Sequence, residues 1–370
     1  MTESRRRTVL CVVGARPNYM KAAPLYVALS ASTRFSPRLI HTGQHYDPQM
    51  NDDFFVDLGM PRPDVNLEVG SASHAVQTAE VMKRFEPVLD AAENPVVLVV
   101  GDVNSTLACA LVAVKKGVPV IHVEAGLRSG DRTMPEEINR ILTDQMSDLL
   151  FTTERSAAAN LTREGIDPAK IHFAGNVMID SLRAHLDRAT PPAATLGAAG
   201  FALPPAFALA TLHRPANVDD PEILGRLLGT IRDIGAELPV AFPVHPRTLG
   251  RIRAFGLESL LAAPNVLALP PAGYLAMLGL MASAKLVLTD SGGIQEETTA
   301  LGVPCLTLRD STERPITVAE GTNTIVGADV ALIRAEAAAI LAGGGKAGRI
   351  PEFWDGRAAG RIVAAMEAGL

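Results

Sequence analysis

The acids and bases most able to do chemistry in this sequence stand immediately behind short apolar runs. Asp102 lies in Gly101-Asp102-Val103-Asn104-Ser105, after the run 96–100. Glu124 lies in His122-Val123-Glu124-Ala125-Gly126-Leu127-Arg128, at the end of the run 118–123. Glu136 opens an amphipathic stretch, 136–146, with Pro135 before it as a helix-start signal. A carboxylate at the end of an apolar strand is costly unless it is paired or working. Three such groups meeting in one crevice can divide acid and base roles if their environments separate their pKa values. Structural readings stand beside this one. Asp102 suits a helix cap, Glu137 and Arg140 suit an i,i+3 pair, and Arg128, Arg132 and Arg140 suit a salt-bridge network.

A second set of residues suits anions. Gly14-Ala15-Arg16-Pro17-Asn18-Tyr19-Met20-Lys21 follows the first apolar run. Its glycine permits a tight turn, and the helix start behind it favours negative charge, with Arg16 and Lys21 adding cations. The spacing is neither the G-x-G-x-x-G fingerprint nor a Walker A loop, so neither a nicotinamide site nor a P-loop ATPase is supported. Gln44 and His45, in Thr42-Gly43-Gln44-His45-Tyr46-Asp47, can donate to sugar hydroxyls or phosphates. His213-Arg214 and His245-Pro246-Arg247 each follow an apolar run and suit a phosphate; an isolated histidine equally suits a satisfied core role. In Thr289-Asp290-Ser291-Gly292-Gly293-Ile294-Gln295-Glu296-Glu297, backbone N–H groups at Ser291, Gly292 and Gly293 can cradle a phosphate. Glu297, about one turn further, can take both hydroxyls of a ribose. A basic loop ending in Arg314-Pro315 follows the next run.

The elements that must position these groups read as alternating strands and helices. Strand-like runs at 8–13, 39–42, 96–100, 118–123, 149–152 and 171–173 alternate with helical patterns at 20–30, 75–90, 106–116, 136–146 and 157–164. Near-continuous apolar strands between helices indicate a parallel sheet covered on both faces. The Ala-, Pro- and Gly-rich stretch 188–205 reads as a connection, and the alternation restarts with strands at 207–212, 240–244, 266–269, 286–289 and 305–308. The expectation is an α/β protein of two Rossmann-like, doubly wound domains. Residues 1–187 form the first, completed by a terminal helix at 357–370, and residues 206–356 form the second. Ligands of such sheets bind outside the carboxyl ends of the strands, where the candidate residues stand.

The 370 residues suit two domains, and a net charge of -6 argues against a non-specific nucleic-acid binder. No apolar run reaches the roughly 18 residues of a membrane span. Ser4-Arg5-Arg6-Arg7 superficially suits a twin-arginine signal, but the apolar run behind it is too short for export, so a cytoplasmic protein is expected. Cys11, Cys109 and Cys305 have no metal spacing and are expected to be reduced thiols.

Taken together, the segments 14–21, 42–47, 101–105, 122–128, 135–140, 213–214, 289–297 and 312–315, with Gly321-Thr322-Asn323, resemble the non-hydrolysing UDP-N-acetylglucosamine 2-epimerases. The resemblance runs in order from about residue 8 to about residue 330. It implies a glycosyltransferase-B type fold, with two Rossmann-like domains facing a central cleft. It implies interconversion of UDP-GlcNAc and UDP-ManNAc with no metal or other cofactor, by a homodimer. In the implied scheme the C2 proton is removed and UDP expelled, leaving 2-acetamidoglucal. UDP then adds back with a proton delivered to the opposite face. The resemblance makes Asp102, Glu124 and Glu136 the catalytic carboxylates and His213 the phosphate partner that helps UDP depart. It makes Arg16 and Lys21 phosphate contacts, Ser291 and Gly292 the backbone cradle, and Glu297 the ribose ligand. Gln44, His45, Arg140, His245, Met277, Gly293 and Arg314 complete the expected substrate set. Asn18 departs from the glutamate of many members, Met277 stands where some carry phenylalanine near the uracil, and Arg-Pro-Ala-Asn follows His213 in place of Arg-Arg-Glu-Asn. A hydrolysing epimerase releasing ManNAc, a glycosyltransferase of the same fold and a non-catalytic UDP-sugar sensor are the alternatives.

Overall fold

The computed structural model describes residues 6–44 and 55–370. The chain divides into two compact units, Met1–Ala184 with Glu352–Leu370, and His185–Pro351. The terminal helix Ala358–Gly369 thus belongs to the first unit, where it packs on helix Arg16–Ala31. Asp180 anchors its start by accepting from the N–H groups of Ala358 and Ala359 at 3.1 and 2.8 Å.

The first unit holds a parallel seven-stranded sheet. Its strands are β1 (Arg7–Val13), β2 (Phe35–His41), β3 (Val65–Asn66), β4 (Pro95–Val100), β5 (Val120–Val123), β6 (Leu149–Thr152) and β7 (Ile171–Phe173), in spatial order 3-2-1-4-5-6-7. β4 and β5 are buried along nearly their whole length, as strands covered by helices on both faces must be. Val99 pairs with His122 and Val100 with Val123, a register that sets the turns after β4 and β5 side by side.

The second unit repeats the architecture with six parallel strands: β8 (Ala208–Thr211), β9 (Val240–Pro243), β10 (Val266–Leu269), β11 (Leu286–Thr289), β12 (Cys305–Thr307) and β13 (Asn323–Ile325). Their order is 10-9-8-11-12-13. Leu224, Leu227, Leu228 and Ile231 of helix Pro221–Gly235 pack with Phe242 and Leu288 into its core.

In both sheets the winding reverses once, between β1 and β4 and between β8 and β11. Such reversals open a crevice at the carboxyl ends of the strands. The structure differs from the sequence reading at several edges. Residues 192–198, read as connection, form helix Pro192–Ala198 within the second unit. Helices start two to four residues earlier than the apolar periodicity indicates, at Arg16, Asn104 and Arg155, because these first residues are polar and lie outside the apolar pattern. Among the described residues no helix is long and apolar enough to cross a membrane.

Candidate active site

The loop after β1 is held by Asn18. Its Oδ1 accepts from the N–H groups of Gly14 and Ala15 at 3.2 and 3.1 Å, and its Nδ2 donates to the Val100 carbonyl at 3.0 Å. One carboxamide therefore ties the turns after β1 and β4 together across the winding reversal. A carboxylate could make the two accepting contacts but not the donating one. Gly14 has no room for a side chain, since a Cβ there would fall 2.3 Å from Ser105 Oγ. Gln44 belongs to the same array, its Oε1 accepting from the Ser105 N–H at 3.1 Å and hydroxyl at 2.7 Å. His45 and the side chain of Arg16 lie outside the described residues.

Glu124 ends β5 in the left-handed region, with φ of 75°. That conformation costs a non-glycine residue of order 1–3 kcal/mol and persists where the surroundings over-determine it. Here the N–H groups of Glu124 and Ala125 both donate to the Phe151 carbonyl, at 3.1 and 3.0 Å. The side chain is buried against Lys21, whose Nζ lies 2.7 Å from Oε1 and 2.6 Å from Oε2. Gly101, at φ of 66°, faces this pair: a Cβ there would come within 3.2 Å of Lys21 Nζ and 3.7 Å of Glu124 Oε1.

Asp102 follows directly. Arg140 donates to its Oδ2 from Nη2 at 2.5 Å and Nε at 3.2 Å, and uses Nη1 on Glu137 at 2.6 Å. Glu137 in turn accepts from the N–H groups of Ser129 and Gly130, both at 3.0 Å. The i,i+3 pairing expected for Glu137 and Arg140 is therefore one link of a longer chain that ends on Asp102. Glu136 is half-buried in the first turn of helix Pro135–Met146, one turn before Arg140, and makes no ion pair among the described residues. The structure thus gathers Lys21, Asp102, Glu124 and Arg140 around Gly101. Arg128 pairs with Asp144 and Glu164.

In the second unit the organising residue is Asp290, which the sequence reading quoted but gave no role. It is wholly buried just after β11 and accepts from the N–H groups of His213 and Arg214, at 3.0 and 2.9 Å, and from Asn217 Nδ2 at 3.2 Å. His213 adds Nδ1 at 2.8 Å. Burial pushes the Asp290 carboxyl up, but the His213 imidazole and the N–H groups of Arg214 and His213 outweigh it and hold it below its ordinary range. His213 keeps 40% of its side-chain surface exposed, so Nε2 is the ring nitrogen left for a ligand. The exposed ring of His245 sits 5.7 Å from it, centroid to centroid. Helix Gly292–Leu301 begins beside this turn with Ser291 as N-cap, so the first-turn N–H groups of Gly292 and Gly293 have no partner within the helix.

Glu297 lies further along that helix, buried, and accepts from the Tyr274 hydroxyl at 3.2 Å. Burial pushes its carboxyl up to about 8, the neighbouring Glu296 adding to the rise and Tyr274 opposing it. Met277 is half-buried in the first turn of helix Tyr274–Ser283. Arg314 is buried with Nε 3.0 Å from Glu296. Glu313 pairs with Arg309 at 2.8 Å, and its Oε1 would be 2.6 Å from a Cβ at Gly292. The tyrosine behind Glu297 and the aspartate behind His213 left no sequence signal beyond a polar residue near a strand or helix end.

Two parallel sheets, each with one reversal of winding, define a doubly wound α/β protein. The family model described as UDP-N-acetylglucosamine 2-epimerase matches residues 27–367, and the chain belongs to that family. It is 43% identical over 320 residues to a UDP-N-acetylglucosamine 2-epimerase of Methanocaldococcus jannaschii, covering 85% of this chain and 87% of that protein. It is 44% identical over 323 residues to a UDP-2,3-diacetamido-2,3-dideoxy-D-glucuronate 2-epimerase of Pseudomonas aeruginosa, covering 86% and 88%. A crystal structure of the M. jannaschii UDP-GlcNAc 2-epimerase in complex with UDP-GlcNAc and UDP matches with a TM-score of 0.88 at 39% identity, over 98% of this chain and 99% of that one.

Proposed function

We propose that this epimerase is of the non-hydrolysing type and interconverts UDP-GlcNAc and UDP-ManNAc by eliminating UDP to 2-acetamidoglucal and adding it back. The observation that carries the reading is the pair of carboxylates, Asp102 and Glu124, at the ends of adjacent strands with a buried cation on each. Inverting C2 requires a proton to leave one face and another to arrive at the opposite face. One carboxyl group cannot reach both, so two held separately are the minimum, and Glu136 is the third acid of the set.

The C2 proton is a poor acid, and a base alone would be too weak to remove it. The departure of UDP must be assisted at the same time. His213 Nε2, the start of helix Gly292–Leu301 and Arg16 are the groups for the diphosphate, and donors aimed at developing charge lower such barriers. Glu297 takes the ribose hydroxyls. Lys21 stands against Glu124, so its work in this reading is to steady that carboxylate as much as to meet phosphate. A homodimer in the cytoplasm is the proposed working form, supported by the family resemblance, and light scattering on the purified protein checks the assembly.

A second substrate is favoured by the similarity to the Pseudomonas aeruginosa enzyme, whose named substrate carries a second acetamido group and a carboxylate. Incubation with UDP-GlcNAc alone, in D₂O, tests the proposal. UDP-ManNAc carrying deuterium at C2 is the expected product. Free ManNAc would mark a hydrolysing enzyme. In a parallel incubation, conversion of the UDP-linked diacetamido glucuronate with UDP-GlcNAc left unchanged would move the assignment to that sugar.

A further inference from the structure

Beneath the two carboxylate turns lies a buried polar array that the proposed reaction does not use. His122, in the middle of β5, is completely buried. Its Nε2 lies 2.8 Å from the Gly101 carbonyl and its Nδ1 lies 2.7 Å from Asp144 Oδ1. The Gly101 carbonyl can only accept, so Nε2 is the donor to it. The second oxygen of Asp144 accepts from the Gly126 N–H at 3.1 Å and pairs with Arg128 Nη2 at 2.8 Å. Asp144 stands on helix Pro135–Met146, which also carries Arg140, the partner of Asp102.

This array closes a ring around both acids. Gly101 precedes Asp102, and Gly126 is two residues beyond Glu124. Gly101, Glu124 and Gly126 all have left-handed backbone, with φ of 66°, 75° and 79°. Glycine adopts that region freely, whereas at Glu124 the surroundings must hold it there. The hydrogen bond from His122 fixes the first turn, and the one from Asp144 to Gly126 fixes the second. Gly101 also donates its N–H to the Val123 carbonyl at 3.1 Å, tying the turns to each other. Burying a histidine–aspartate–arginine chain is at best weakly stabilising compared with apolar packing. Stability alone gives little reason for it here.

We propose that His122, braced by Asp144, is a positioning residue for the reaction. It holds the peptide at Gly101 so that Asp102 and Glu124 keep a fixed separation across C2. It touches no substrate and transfers no proton. The inference rests on the catalytic reading of those two carboxylates.

The test compares His122→Leu, which removes the donor to Gly101, with His122→Gln, which retains an N–H donor. Misplacing a reacting group by about 1 Å can cost about 10²-fold. His122→Leu is expected to lower kcat by about 10- to 100-fold, the range below that limit. UDP affinity should stay within about twofold, since neither hydrogen-bond partner of His122 is among the groups assigned to UDP. His122→Gln should recover at least half of the lost activation free energy. Asp144→Asn is the second probe, and is expected to lower kcat with UDP affinity unchanged. Wild-type kcat in folded His122→Leu overturns the proposal. So do parallel losses of thermal midpoint, UDP affinity and kcat, with glutamine no better than leucine. If the leucine variant does not fold, the glutamine and Asp144→Asn variants decide: wild-type kcat in both overturns it, and reduced kcat at normal UDP affinity supports it. Asp102→Asn is assayed alongside. An active Asp102→Asn variant removes the catalytic reading itself, whereas an inactive one beside a fully active His122→Leu removes only the positioning role.

Discussion

Asp102 follows β4 and Asp290 follows β11, strands that occupy the same place in two sheets of the same winding order. The two acids are held in opposite ways. Asp102 is partly exposed and gripped by the Arg140 guanidinium, itself shared with Glu137. Asp290 is fully buried and gripped by two backbone N–H groups, the Asn217 amide and the His213 ring. A carboxylate held by a side chain can exchange that partner for a ligand, because the guanidinium has other acceptors to fall back on. A carboxylate held by backbone cannot move without dismantling the turn. The first arrangement suits an acid that handles protons. The second suits an acid that fixes the shape and charge of its neighbour, here His213.

The comparison breaks or holds first on turnover. Asp102→Asn and Glu124→Gln are each expected to lower kcat by at least about 10²-fold, the usual scale for a lost acid or base. UDP binding, measured by calorimetry, should persist in both. Near-normal turnover in both would make the first unit's carboxylates structural, like Asp290.

His213 comes next. His213→Ala is expected to lower kcat by about 10-fold or more while raising KM less, because in the proposed elimination charge on the departing diphosphate grows in the transition state. His213→Asn should fall between. Equal losses in UDP affinity, thermal midpoint and kcat would instead make His213 only a support for the loop around Asn217.

Asp290→Asn sharpens the contrast on stability. The amide would turn a donor toward groups that are already donors, and leaving buried polar groups unmatched costs about 1–3 kcal/mol. A lower thermal midpoint together with weaker UDP binding is expected from thermal melts and titration. Asp102→Asn should shift the midpoint much less, since its carboxylate is partly exposed.

The smallest effect concerns Glu297. Glu297→Ala should raise KM with kcat little changed, as a ground-state ribose contact would. Its pH dependence has a definite sign. With the folded carboxyl at about 8 against an ordinary value of 4.5, the folded chain holds a proton between those values that the unfolded chain releases. Stability from this group is therefore full below about pH 4.5 and falls as pH rises to about 8. Glu297→Gln stays neutral, so its midpoint should gain on the wild type by a few degrees from pH 5 to pH 8. A constant difference across that range would contradict the raised carboxyl.

The sequence alone determined the alternation of strands and helices, because strands buried on both faces must be nearly continuously apolar. It also determined that the polar motifs stand at strand ends, since the motif follows the run in the chain itself. Short edges escaped it: β3 has two residues and β13 three, too few for any periodicity, and each exists by pairing with a neighbour. What each acid touches was decided only by tertiary structure. Lys21 meets Glu124 across 103 positions, and His213 meets Asp290 across 77. His122 takes Gly101 and Asp144 on either side. A parallel sheet sets side by side strands that the chain visits far apart, so partners across a crevice share no spacing that a sequence can display. The left-handed backbone at Glu124 has the same origin. Nothing in a glutamate favours it, and it exists because the hydrogen bonds to Phe151 and the buried Lys21 leave that carboxylate no other place.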